Sequence, residues 1–145
     1  MVAFLLYGLF GWCAEIVWTA GYAVVAAVAS GQRPDVRLTG HTYLWMLPIY
    51  GGGCMLFEIV HAAVAPYPWI VRGVIYMVGC FVVEYATGWL IKIASGTIPW
   101  DYSEKRWHVH GLIRLDYAPV WFFFGLLLER VETMVRAIEP VLRSA

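Results

Sequence analysis

Long apolar blocks alternate with two polar stretches along this chain. The first block covers residues 2–29, and Glu15 is its only charge. About 20 apolar residues cross the ~30 Å hydrocarbon core of a bilayer, so this block predicts a spanning helix with some tilt. A polar loop over 31–40 holds Arg33, Asp35 and Arg37. The second block, 43–65, is broken early by Pro48 and by Gly51, Gly52 and Gly53. Glycines weaken a soluble helix, but in a membrane they let neighbouring backbones approach closely. After the turn Pro66-Tyr67-Pro68 comes a third block, 69–93, with Glu84 near its middle and Lys92 near its end. A fourth span is predicted over 117–138 and is the weakest. Its apolar part, 119–128, reaches across only with help from Tyr117 and from Val131 to Val135. Glu129, Arg130, Glu132, Arg136 and Glu139 make that helix amphipathic, and its end is expected to project beyond the bilayer.

Residues 100–121 stand between the third and fourth blocks and read W-D-Y-S-E-K-R-W-H-V-H-G-L-I-R-L-D-Y-A-P-V-W. Charged, histidine and aromatic side chains crowd this connector. It is expected either to lie on the bilayer surface or to dip back towards a polar cavity, where protein groups can satisfy non-helical backbone. The pattern as a whole predicts an all-α integral membrane protein: one domain over 1–145, four transmembrane helices, and both termini on one side.

Composition sharpens this picture. The chain has 145 residues, 61% hydrophobic and 14% charged, against about 45–50% and about 25% in soluble domains. Ten basic and ten acidic residues cancel, which excludes a nucleic-acid partner or a polybasic anchor and leaves the lipid bilayer of the cell membrane as the expected environment. Cys13, Cys54 and Cys80 are odd in number and sit in apolar runs, as packed thiols do. The first block is too long, and lacks the preceding basic residues, for a signal peptide cleaved after Ala29. Arg33, Arg37, Lys92, Lys105, Arg106 and Arg114 on the long-loop side outweigh Arg72, Arg130, Arg136 and Arg143 opposite, so the long loops are expected to be cytoplasmic.

The two halves share a pattern. Gly40, Leu44, Pro48 and Tyr50 have the same spacing as Gly111, Leu115, Pro119 and Trp121, and each set follows a helix with one central glutamate, Glu15 or Glu84. Two parallel two-helix repeats are expected, related by an axis along the membrane normal.

A carboxylate at mid-bilayer is costly unless paired, protonated or wet, which makes Glu15 and Glu84 the sharpest functional candidates. Gly8, Gly11, Glu15, Thr19 and Tyr22 share one face of the first helix, and Met77, Cys80, Glu84, Thr87 and Ile91 one face of the third. Small and polar faces turn inward, so the two glutamates are expected to meet in the interior or simply to lock the fold through bonds to the loops. Gly51, Cys54, Glu58 and His61 also share a face, and Glu58 with His61 reads as an intrahelical pair. His108 and His110 lie close to Asp101, Glu104 and Asp116, but without cysteine ligands or a matching signature no metal is expected, nor any other cofactor. No phosphate-binding loop, nucleophile elbow or dinucleotide fingerprint occurs, so any ATPase must be a separate chain.

The motifs Gly11-Trp12-x-x-Glu15, Pro48-Ile49-Tyr50-Gly51-x-Gly53, Glu84-x-x-x-Gly88-Trp89, Trp100-Asp101-Tyr102-Ser103 and Gly111-x-Ile113-x-Leu115-x-Tyr117 carry a resemblance. Through them the chain resembles the bacterial membrane family called ABC-transporter type IV, or CmpB-like permease, and vertebrate proteins of the transmembrane protein 229 type. The resemblance implies a permease-like transporter subunit for a small solute, with Tyr50 and Trp89 joining Glu15, Glu58 and Glu84 along a buried pathway. Four helices make a thin wall, so a homo-oligomer or a separate membrane or ATPase subunit is expected. This chain departs from the family at His110, where asparagine is usual, and at Asp116, where glutamate is usual. The departure at His110 counts against a shared histidine metal site. The alternative reading places an enzyme or lipid-headgroup site in the connector, built from Trp100, Asp101, Tyr102, Arg106, His108, His110, Arg114 and Asp116, with Arg106 and Arg114 holding a phosphate. An assembly factor that docks a partner through its last helix is the third reading. Catalytic residues are not identifiable at this level, and enzymatic activity stays open.

Overall fold

A computed structural model of the chain describes residues 1–144. Its helices are α1 (Val2–Ala29), α2 (Met46–Val64), α3 (Trp69–Ser95) and α4 (Ala118–Ser144). Two two-residue strands, β1 (His108–Val109) and β2 (Ile113–Arg114), and a 3₁₀ turn (Leu115–Tyr117) lie between α3 and α4. The chain is thus all-α apart from a minimal antiparallel hairpin within the connector. Pro48 falls in the first turn of α2, where the missing N–H would have no helical partner. Gly96 ends α3 in a left-handed conformation, its N–H donating to the Lys92 carbonyl at 2.9 Å.

Helices α1, α2 and α3, of 28, 19 and 27 residues, are long and apolar enough to cross a membrane. At 1.5 Å per residue they measure about 42, 28 and 40 Å, against the ~30 Å of a hydrocarbon core. Their outward side chains, among them Val17, Ile59, Val82 and Leu90, are exposed and apolar. The accessible surface is 9396 Å², well above the roughly 7,500 Å² of a water-soluble monomer of this size. Lipid, not water, is the partner for such a surface.

Helix α4 corrects the sequence expectation of a fourth apolar span. Its apolar stretch stops at Leu128, and no window along it is long and apolar enough to cross a membrane. Leu128, Val131, Glu132 and Val135 face inward, and the charged half stays packed on the bundle as far as Glu139, which accepts the Ala3 N–H at 3.3 Å.

Helix α1 packs chiefly on α2, and α3 on α4, with thinner contacts from α1 to α4 and from α2 to α3. Bare glycine backbone makes these approaches possible. A Cβ on Gly11 would stand 2.1 Å from the Tyr50 ring, and one on Gly125 would stand 2.3 Å from Tyr76 Cβ. The core of Tyr7, Cys54, Phe57, Tyr76, Leu128, Val131 and Val135 fills only the half of the bundle nearest the N-terminus. The other half, beneath the connector, is hollow.

Candidate functional site: a cavity between two helical pairs

The hollow half is a cavity of about 610 Å³ bounded by all four helices and by the connector. Glu15 reaches it from α1, Tyr50 from α2, Cys80 and Glu84 from α3, Tyr102 from the connector and Trp121 from α4. The Thr42 hydroxyl donates to Glu15 Oε2 at 2.7 Å, and the Tyr102 hydroxyl to Glu84 Oε1 at 3.2 Å. Glu84 Oε2 and Trp121 Nε1 are both buried without a hydrogen-bond partner. Among the described residues no cationic side chain lies within salt-bridge distance of Glu15 or Glu84.

Arg114 and Lys105 are the cationic side chains on the cavity wall, and the Arg114 charge is already taken. The Arg114 guanidinium donates to both oxygens of Asp116, one contact being 2.9 Å, and lies over the Tyr117 and Tyr102 rings at 4.2 and 5.9 Å. This pairing holds the Asp116 carboxyl below the usual carboxylate range, and the Ser103 side chain and N–H do the same for Asp101. A carboxyl with a lowered folded-state pKa adds stability above its unfolded value of about 3.9, and the gain is lost as pH falls through the folded value. The connector should therefore hold at neutral pH and loosen in acid below the ordinary aspartate range. Faster hydrogen exchange at the Tyr102 and Leu115 amides, partly reproduced at neutral pH by Asp116→Asn, is the expected result.

The Trp100-Asp101-Tyr102-Ser103 run acts as a clamp. Trp100 Nε1 donates to the Leu112 carbonyl at 2.9 Å, Asp101 accepts the Ser103 N–H at 2.8 Å, and Tyr102 N–H donates to the Gly111 carbonyl at 2.9 Å. Leu112 is fully buried against Gly88 and Trp100. The clamp folds the connector back along α3, so that Tyr102 reaches Glu84, about 16 Å short of the helix end at 1.5 Å per residue.

The hairpin turn explains the departure at position 110. His110 and Gly111 have φ of 54° and 72°, and Leu112 N–H donates to the Val109 carbonyl at 3.0 Å. His110 and Gly111 are the central pair of a turn within a three-residue loop, and two positive φ in succession favour Asn-Gly, because asparagine tolerates the left-handed region better than histidine. His110→Asn is therefore expected to keep or raise the apparent melting temperature despite losing the 2.8 Å bond to the Tyr85 hydroxyl. Gly111→Ala is expected to lower it, since its Cβ would also sit 2.6 Å from Ser103 Oγ.

The remaining connector residues do not converge. His108 Nδ1 accepts the Gly111 N–H, His110 turns to Tyr85, and Arg106 lies over the Trp107 ring on the surface. Trp89 stacks on Tyr85 facing outward and stands apart from the cavity. Among the described residues no three histidine, cysteine, aspartate or glutamate side chains gather closely enough to hold a metal.

Glu58 also lies outside the cavity, in a second polar layer beyond the core. It accepts the Tyr7 hydroxyl at 2.5 Å and meets Arg136 at 3.6 Å, whereas His61 bonds the Tyr76 hydroxyl at 2.6 Å. The two therefore bond across the bundle and not to each other. Arg72 forks onto Glu129 at 2.7 and 3.0 Å, and Arg136 pairs with Glu132. Sequence reasoning passed over Arg72, Glu129, Glu132 and Arg136 as a site. Their signal was present: 129, 132 and 136 share one helical face with Leu128 and Val135, so that charged face had to turn inward with the apolar one.

No solved structure matches this chain. The family described as "Putative ABC-transporter type IV" matches residues 2–144, and the chain, with three helices of membrane-spanning length and character, belongs to that family of membrane proteins.

Proposed function

We propose that this chain is a multi-pass permease-like subunit of the cell membrane that carries a small solute through the cavity between its two helical pairs. The observation that carries the reading is the placement of Glu15 and Glu84, one from each pair, on a single cavity with no charged partner for either. A lone buried carboxylate is costly to keep, and a ligand or proton pathway is the usual reason for one. The cavity is covered by the connector at one end and closed towards the N-terminal end by Phe57, Tyr76 and Leu128, with the Arg72–Glu129 layer beyond them.

Two further features support this reading. The strong α1–α2 and α3–α4 packing, with Tyr50 and Trp121 on the cavity wall beside the two glutamates, favours two parallel repeats. Helix α4 would then complete the fourth wall with its apolar half, its polar half being covered by the bundle or by a partner. No nucleotide-binding motif occurs in the sequence, so energy from ATP would enter through a separate subunit or a second membrane chain.

The test is uptake of a panel of labelled amino acids, amines, sugars and organic acids into proteoliposomes, comparing the native chain with Glu15→Ala/Glu84→Ala. Loss of one solute's uptake in the double variant, with the fold retained, is the expected result. Uptake unchanged across the panel would overturn the reading. Native mass spectrometry of the protein released from its own membrane should show self-association or a stoichiometric second subunit.

A further inference from the structure

The charges on the cavity wall do not balance. Arg114 is paired with Asp116, and the roof adds one charge of each sign, Asp101 and Lys105. Glu15 and Glu84 remain, answered only by neutral groups, the hydroxyls of Thr42 and Tyr102 with Tyr50 and the Trp121 indole beside them, and Glu84 Oε2 is buried without a hydrogen bond. An oxygen that the fold leaves unanswered is one that a ligand can answer.

The rest of the wall says what kind of ligand. Trp18, Tyr50, Trp100, Tyr102 and Trp121 present aromatic rings, and valines, alanines and both inward cysteines fill the gaps between them. Aromatic faces carry negative potential and attract cations, most strongly in a desolvated site. An anion would meet two carboxylates and ring faces, and a sugar would face a wall that is mostly apolar. At about 610 Å³ the cavity has room for a cation several rings in size.

We propose that the cavity binds a monovalent organic cation, an ammonium or similar centre carried on an apolar body, with Glu15 and Glu84 as its counter-charges and the Tyr50, Tyr102 and Trp121 rings around it. This rests on the reading of the cavity as a solute path and names the class of solute. Asp116 takes a part that its distance from the carboxylates would not suggest. By compensating the Arg114 charge it keeps the wall acceptable to a cation.

Tetraphenylphosphonium and tetraphenylborate have the same shape and opposite charge, so their binding to the purified full chain isolates the sign of the site. Calorimetry in detergent, with protein-free micelles as the blank, should show saturable binding of the phosphonium at least tenfold tighter than that of the borate. Glu15→Gln/Glu84→Gln should weaken the phosphonium by tenfold or more. Asp116→Asn should weaken it severalfold by releasing the Arg114 charge, while Asp116→Glu should leave it unchanged. Equal or tighter binding of the borate, no saturable binding, or phosphonium binding indifferent to the double variant would overturn the proposal. Circular dichroism and gel filtration of each variant separate these outcomes from misfolding. If no cation binds but the alanine double variant loses uptake of an uncharged solute, the permease reading stands and this inference falls. If the phosphonium binds as described but no solute's uptake responds to the double variant, the cation site stands and the permease reading falls.

Discussion

Replacing Gly40 with alanine is expected to destabilise the fold strongly, more than a methyl group added at an open glycine such as Gly21. A Cβ there would lie 2.1 Å from the Ile16 carbonyl oxygen and 2.9 Å from its carbon. That carbonyl belongs to mid-helix backbone and also accepts the Thr19 hydroxyl at 3.1 Å, so it cannot swing aside as a side chain could. The loop must move instead, and its ties to α1 go with it. The His41 N–H and carbonyl both bond Thr19 Oγ1, at 2.8 and 3.0 Å, and Thr42 bonds Glu15. Overpacking alone costs about 1–3 kcal/mol, and each hydrogen bond lost adds roughly 1 kcal/mol, so a total above ~3 kcal/mol is expected. Gly21→Ala is the control, because nothing lies within 4 Å of its Cβ and it sits within α1. It should be neutral or stabilising by up to about 1 kcal/mol. Apparent melting temperatures of the two variants in one detergent make the comparison. Equal behaviour would mean that the loop does not sit on α1 as described.

Leu112→Ala is expected to release the connector and leave the helices standing. Leu112 is fully buried, its Cδ2 standing 3.0 Å from where a Gly88 Cβ would lie, and its carbonyl accepts the Trp100 indole. Truncating a buried leucine costs about 2–5 kcal/mol. Here the loss falls on a segment with few other apolar anchors, so the connector should open locally before the bundle melts. Hydrogen exchange should accelerate across 100–117 and stay slow in α1 and α3, with the Tyr102 contact to Glu84 lost. Unchanged connector exchange would show that Leu112 is not what holds it down.

The three apolar helices were legible because a membrane span needs only length and apolarity, and both are properties of a local window. Predicted bounds of 2–29, 43–65 and 69–93 compare with Val2–Ala29, Met46–Val64 and Trp69–Ser95. The second shortened because Pro48 must lie in a first turn. Helix α4 was harder to read, since Glu129, Glu132 and Arg136 find their partners on α2, on α3 and within α4 itself. Arg72 and Glu129 are 57 positions apart, and no local pattern announces such a pair. The hairpin was obscured by His110-Gly111, a turn that Asn-Gly would have signalled plainly, and by strands of two residues each. Glu15 and Glu84 stood out as lone charges in apolar blocks. That Arg114 answers Asp116, and not Asp101 or Glu104, is decided by side-chain geometry.

The central claim is that Glu15 and Glu84 face one shared, ligand-accessible cavity. Dicyclohexylcarbodiimide, an apolar reagent that attacks protonated carboxyl groups in apolar surroundings, tests it most directly in the intact membrane. Peptide mass spectrometry should find the adduct on Glu15 and Glu84, with tetraphenylphosphonium slowing both reactions together. Glu58, engaged by Tyr7 and Arg136, should stay unmodified. Adducts confined to Glu58, Glu129 or exposed carboxylates such as Glu104, or adducts at Glu15 and Glu84 that the cation does not slow, would contradict the account.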